Sequence, residues 1–154
     1  MSRFQSQVVS VAAIGAAVNF LGWFGSANTG GKLRRLTMGT IAGATTPTSQ
    51  QLQVGVFRAT ALGTTSTLYT PTQLDPNTAA AGCVTPTAWS VQPTLAATAS
   101  WLIPFNSQSS VDLPWELLEE WVITKGTANG LVFQNMTNAA PSGHSIVASI
   151  EWEE

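Results

Sequence analysis

Of the 154 residues, 44% are hydrophobic and only 9% are charged, with a net charge of −2, whereas roughly a quarter of an ordinary globular chain is charged. The length suits one domain, with or without an arm, and six Trp with six Phe supply too much apolar surface for a disordered chain. Cys83 is the single cysteine, which excludes an internal disulfide framework and a Cys-based zinc site, and one His with one Tyr leaves little for catalysis.

The first element in the chain is the apolar run Val8 to Phe24. It is shorter than the roughly 20 residues that span a bilayer, and Ser10, Asn19, Gly15 and Gly22 interrupt it. A cleaved leader is its closest rival, given Arg3 ahead of it and the small residues Gly25 to Ala27 behind. We read it as a retained segment, either two strands, Gln7 to Ile14 and Ala17 to Phe24, or an extended arm packed on something else. Residues 1–30 are thus an N-terminal apolar arm or first strands, and residues 31–154 form the main domain.

From Lys32 onward the hydrophobic period is two. In Leu33 to Ile41, Leu36 and Met38 share a face with Arg34, while Arg35, Thr37 and Ile41 share the other. In Leu52 to Arg58, Leu52, Val54 and Val56 alternate with Gln53 and Gly55, the pattern of a half-buried strand. Leu95 to Phe105 reads as the best core strand, with Leu95, Ala97, Ala99, Trp101, Ile103 and Phe105 on one face. Glu120 to Lys125 and Leu131 to Met136 follow, and the Asn129-Gly130 dipeptide between them predicts a hairpin. Ser145 to Trp152 closes the set. Turn clusters fall at Ala42 to Ser49, Gly63 to Ser66, Thr70 to Thr87 and Ala139 to Gly143. No helix of ordinary length competes; the best candidate is Leu113 to Glu120, which Asp112 could cap with Pro114 in the first turn, giving about two turns at most. Seven or eight strands at this spacing predict an all-β chain, a β-sandwich or a jelly roll.

The charges are sorted along the chain. Residues 1–58 carry Arg3, Lys32, Arg34, Arg35 and Arg58 and no acid, whereas residues 59–154 carry all eight acids and only Lys125. The two halves therefore suit pairing with each other, or pairing between copies. Five scattered cations fall short of a basic run, so no nucleic-acid partner is expected. Gly25 to Lys32 resembles a phosphate loop only in its glycines, because Ser26 and Leu33 stand where a Gly and a hydroxyl residue are needed. His144 has no second His for a metal site and no nucleophile elbow nearby, and it reads as a solvated loop residue. Glu116, Glu119 and Glu120 lie in one short segment rather than across a cleft, which suits an acidic contact patch better than glycoside hydrolysis. Glu151, Glu153 and Glu154 read as a solvated tail or as partners of the basic half, and Asn135-Met136-Thr137 matches a glycosylation sequon. Trp23, Trp89, Trp101, Trp115, Trp121 and Trp152 are scattered anchors for a core or an interface.

The phrasing of Leu33 to Gly43 and of Pro47 to Thr60 resembles small virion proteins encoded beside the major capsid gene in tailed bacteriophages. Tyr69 to Pro76, Ala88-Trp89-Ser90, Pro93-Thr94 and the closing Ile150 to Glu154 extend the likeness from about residue 30 to the end, and the first 30 residues match least. The resemblance implies a jelly-roll-like sandwich that decorates or cements the capsid exterior, commonly as a trimer. Its implied partners are the major capsid protein and copies of itself, and its implied location is the virion surface after assembly in the host cytoplasm. Neither a membrane partner nor a cofactor, metal or catalytic residue is expected, so the chain reads as no enzyme. The contact residues we single out are Phe20, Trp23 and Phe24 in the apolar segment, with Arg34 and Arg35 as electrostatic partners. The alternative is a glycan- or receptor-binding module of a viral fibre, suggested by the tryptophans and the Thr/Asn-rich loops.

Overall fold

A computed structural model describes residues 1–42, 49–136 and 139–154. These form thirteen strands: β1 (Arg3–Val9), β2 (Val18–Phe24), β3 (Gly31–Ala42), β4 (Gln51–Ala61), β5 (Thr64–Tyr69), β6 (Thr72–Gln73), β7 (Thr85–Val91), β8 (Thr94–Leu95), β9 (Trp101–Asn106), β10 (Val111–Pro114), β11 (Trp121–Ile123), β12 (Gly130–Asn135) and β13 (His144–Glu153). The chain is all-β, every strand pairing is antiparallel, and no helix is found among the described residues. One sheet runs β10-β3-β13-β1-β6, with β11 on the same β3; a second runs β2-β12-β4-β8, with β9 also on β4; β5 and β7 pair separately.

The inner faces of the two large sheets make the core. Phe4 and Val8 from β1, Leu33, Leu36 and Met38 from β3, and Ile146, Ala148, Ile150 and Trp152 from β13 meet Trp23 of β2, Leu52, Val54 and Val56 of β4, Ile103 and Phe105 of β9, and Leu131 and Phe133 of β12. The second sheet is buried on its outer face as well: Val132, Phe24 and Ala59 pack with Trp89 of β7. The β5–β7 segment thus covers that sheet. Strict alternation fails in β3, because Leu33 and Leu36 both point inward. Glu151 stands opposite Arg35 and Trp152 opposite Leu33, so Arg34 is the extra residue of a β-bulge, the device that re-aims side chains by one position.

The apolar segment at the start supplies strands of both sheets: β1 lies between β13 and β6, and β2 pairs along β12. Other sequence-based boundaries shift. Ala96 to Ser100 is outside any strand, and β9 starts only at Trp101; alternating alanines bury too little surface to hold a ladder. The Gly63 to Ser66 turn shrinks, since β5 begins at Thr64, and the 70–87 loop contains β6 and the start of β7. The one helix candidate, 113–120, is not helical: Val111–Pro114 pairs with β3, and a turn occupies 117–118. Alternating Val111 and Leu113 bury on the sheet edge more than two isolated turns of helix could. The Asn-Gly turn joins no hairpin, because β11 pairs with β3 in one sheet and β12 with β2 and β4 in the other. Its tip docks on the preceding loop instead, with Gly126 N donating to Ser26 O at 2.6 Å and Gly25 N to Asn129 O at 3.0 Å. The central part of the Ala42 to Ser49 cluster, and Thr137 of the sequon, lie outside the described residues.

Candidate interaction surface

Strand direction converts the sorting of charge along the sequence into a sorting in space. Arg3 and Lys32 both stand opposite Glu153, whereas the far ends of the same strands set Val9 opposite Val147 and Ala42 opposite His144. Glu120 leads into β11 beside the start of β3, Lys125 follows β11, and Leu74 N donates to Arg3 O just before Asp75. Arg58 lies 5.6 Å over the Trp121 ring. Asp112 lies further along, opposite Thr37, and accepts bonds of 2.8 and 2.7 Å from Arg35. One end of the sandwich therefore holds nearly all the charge. The other end, with connections 10–17, 107–110 and 139–143, carries none. There Val9, Val11 and Ile41 are exposed beside Val147, with Ser, Thr, Gln and Asn around them.

At the charged end the two halves of the sequence pair. Arg3 approaches Glu151 and Glu153 at 3.7 and 3.9 Å, and Arg34 bonds both Glu120 and Glu153. Glu154 is no free tail: its carboxylate accepts from the Gly82 and Cys83 amides at 2.8 and 2.9 Å and from the Trp152 indole at 2.9 Å. The Arg35 hydrogen bond and charge hold the Asp112 carboxyl below its ordinary range. For Glu120, desolvation acts to raise the carboxyl, but backbone hydrogen bonds and the Arg34 and Lys32 charges outweigh it, so it too is held low. Burial, with the Glu154 charge next, pushes the Cys83 thiol far up, which leaves it protonated and inert.

The five residues singled out from sequence divide into two sets. Phe20, Trp23 and Phe24 are 2%, 0% and 0% exposed, so they fill this chain's own core and do not reach a neighbour; from Phe20 to Phe24 both faces of β2 are covered and every position is buried. Arg34 and Arg35 are engaged within the chain by Glu120, Glu153 and Asp112. His144 is likewise no solvated loop residue. It opens β13, is 1% exposed, and its Nδ1 lies 3.2 Å from Ser142 O. Asn135 of the sequon is fully buried, with its amide donating to Ile14 O and Gly15 O at 3.1 and 3.0 Å. Gly30 of the phosphate-loop lookalike is packed against β11, where an added Cβ would stand 2.4 Å from Ile123 O.

What sequence reasoning missed is the gathering of three tryptophans. Trp101 stands 5.6 Å from Trp115, edge to face, and 5.8 Å from Trp121, stacked, and Arg58 covers Trp121 and donates to Val122 O. Between these anchors the β10–β11 connection presents Leu117 and Leu118, 64% and 85% exposed. Their signal was present as two leucines among glutamates, the pattern also of an amphipathic helix. Among the described residues no group of His, Cys, Asp and Glu is arranged to hold a metal. Comparison with protein-family models, with curated proteins and with solved structures returns no match.

Proposed function

We propose that the protein is a structural component of a bacteriophage virion, a decoration or cement protein on the capsid exterior, with a sandwich of jelly-roll type. The observation that carries this reading is the charge-free end, where Val9, Val11 and Ile41 are exposed among neutral polar residues. Soluble monomers keep charge of both signs spread over the surface, and a surface without formal charge loses little on desolvation when a neighbour covers it. The jelly-roll assignment draws support from strand order. Taking β1, β2, β3, β4, β9, β10, β12 and β13 as the principal strands, the sheets run β1-β13-β3-β10 and β2-β12-β4-β9. The first strand lies beside the last, and all connections but β4 to β9 cross between sheets, the double Greek-key pattern.

The mechanism is mass action. A protein that binds only the assembled shell stabilises it in proportion to the logarithm of its concentration over its Kd. The major capsid protein and further copies of this chain, in trimers, are the proposed partners, following the resemblance of residues from about 30 onward to small phage virion proteins. The glycan-binding alternative draws less support, because Trp121 already carries Arg58 and Trp101 against it and Trp23, Trp89 and Trp152 are buried. Capsids assembled without the protein should lose resistance to heat and osmotic shock and regain it when purified protein is added back. Equal resistance with and without it would refute the proposal.

A further inference from the structure

We propose that the turn between β10 and β11 is a docking knob, with Leu117 and Leu118 entering an apolar pocket with a basic rim on a neighbouring shell subunit. The inference rests on the decoration reading and names the contact. Leu118 is 85% exposed and has φ +76°, a left-handed backbone that is costly for a leucine and that persists only where the surroundings impose it. The surroundings here are rigid. Trp115 N donates to Arg34 O at 2.9 Å, the Trp115 and Trp121 rings flank Trp101, and Glu120 is bonded to Arg34. Both feet of the turn are thus pinned while its two leucines contribute nothing to the core. Exposed apolar side chains on a pre-formed tip lose little entropy on docking.

Charge selects the occupant. Glu116 and Glu119 flank the leucines, both exposed and in no ion pair among the described residues, whereas Glu120 is engaged. An apolar tip between two unpaired carboxylates fits a pocket rimmed by Lys or Arg. The same carboxylates are repelled by anionic lipid and by nucleic acid. A second copy fits poorly, because this chain's own apolar patch around Val9, Ile41 and Val147 lies at the end without charge.

Co-sedimentation of the full-length protein with shells lacking it tests the contact. Leu118→Gly suits the positive φ, so its Tm should equal or exceed that of the parent while its affinity for shells falls at least tenfold. Glu116→Lys with Glu119→Lys should weaken binding to a similar degree and reverse its salt dependence, so that added salt strengthens what binding remains, again with Tm unchanged. Binding by both variants within twofold of the parent would overturn the knob alone. Loss of binding together with a lowered Tm in Leu118→Gly would also overturn it, since the turn would then serve the fold. Failure of the parent protein to bind shells would overturn the decoration reading and this inference with it.

Discussion

Replacing Trp23 by Ala should destabilise the isolated protein by about 4 kcal/mol, toward the upper part of the range for removing a buried aromatic ring. Trp23 is completely buried, its ring lies 6.0 Å from Trp152, and Trp152 lies 5.8 Å from Phe4. Rings from three strands of both sheets are therefore linked through Trp152. Collapse into the space is restricted, because the backbone of Gly31 already stands close enough that a Cβ there would lie 2.8 Å from the Trp23 ring. Against a total stability of roughly 5–15 kcal/mol, at about 2–4 °C per kcal/mol for a domain of this size, Tm should fall by roughly 12 °C. Urea unfolding followed by far-UV circular dichroism would give the same loss as a shifted midpoint with an unchanged slope. Trp23→Phe, which keeps most of the ring, should lose about half as much. A folded Trp23→Ala protein within about 1 kcal/mol of the parent would refute the reasoning, because Trp23 would then lie on an arm outside the core.

Asn135→Ala removes two hydrogen bonds to the β1–β2 connection and should cost about 2 kcal/mol in urea unfolding, while Asn135→Asp should cost more by setting a carboxylate against the Ile14 and Gly15 carbonyls; an alanine variant as stable as the parent would contradict this. The Asp112 and Glu120 carboxyls are held low in the folded state, so the stability they contribute is present above the ordinary carboxylate range and is lost as pH falls through their depressed values. Tm should therefore decline on acidification, and Arg34→Met should flatten the part of that decline due to Glu120; parallel profiles for the two proteins would count against the pairing. Cys83 is buried, with its thiol pushed up, so a disulfide reagent should label it only as fast as the chain unfolds, and rapid labelling of the native protein would place it elsewhere.

How much of the fold was legible depended on whether a local period was obeyed. Ser145 to Trp152 was readable as a strand because one face meets the core and the other does not, and Leu52 to Val56 because every second residue is a large apolar one, although the outer face of that strand is covered too. The bulge at Arg34 was not, since an extra residue shows only against its partner strand. The Asn129-Gly130 signal fell at the end of a tight turn, where Asn129 N donates to Gly126 O and Gly130 already opens β12, and it did not show where the flanking strands went, because pairing is decided by which sheet can cover each apolar face. His144 misled for a related reason: a lone polar residue near a turn looks solvated until distant segments close over it, as the 10–17 connection does here.

By itself the sequence determined the all-β character and the order of charge along the chain, since both follow from residue type and spacing. Only the tertiary structure decided that the apolar start lies in both sheets and that Phe20, Trp23 and Phe24 are core. It alone also gathered the charges at one end and left Leu117 and Leu118 at the surface. The physical reason is that antiparallel pairing folds the chain's two ends together, so that positive residues early in the sequence and negative residues late in it become neighbours, a relation that no local window contains.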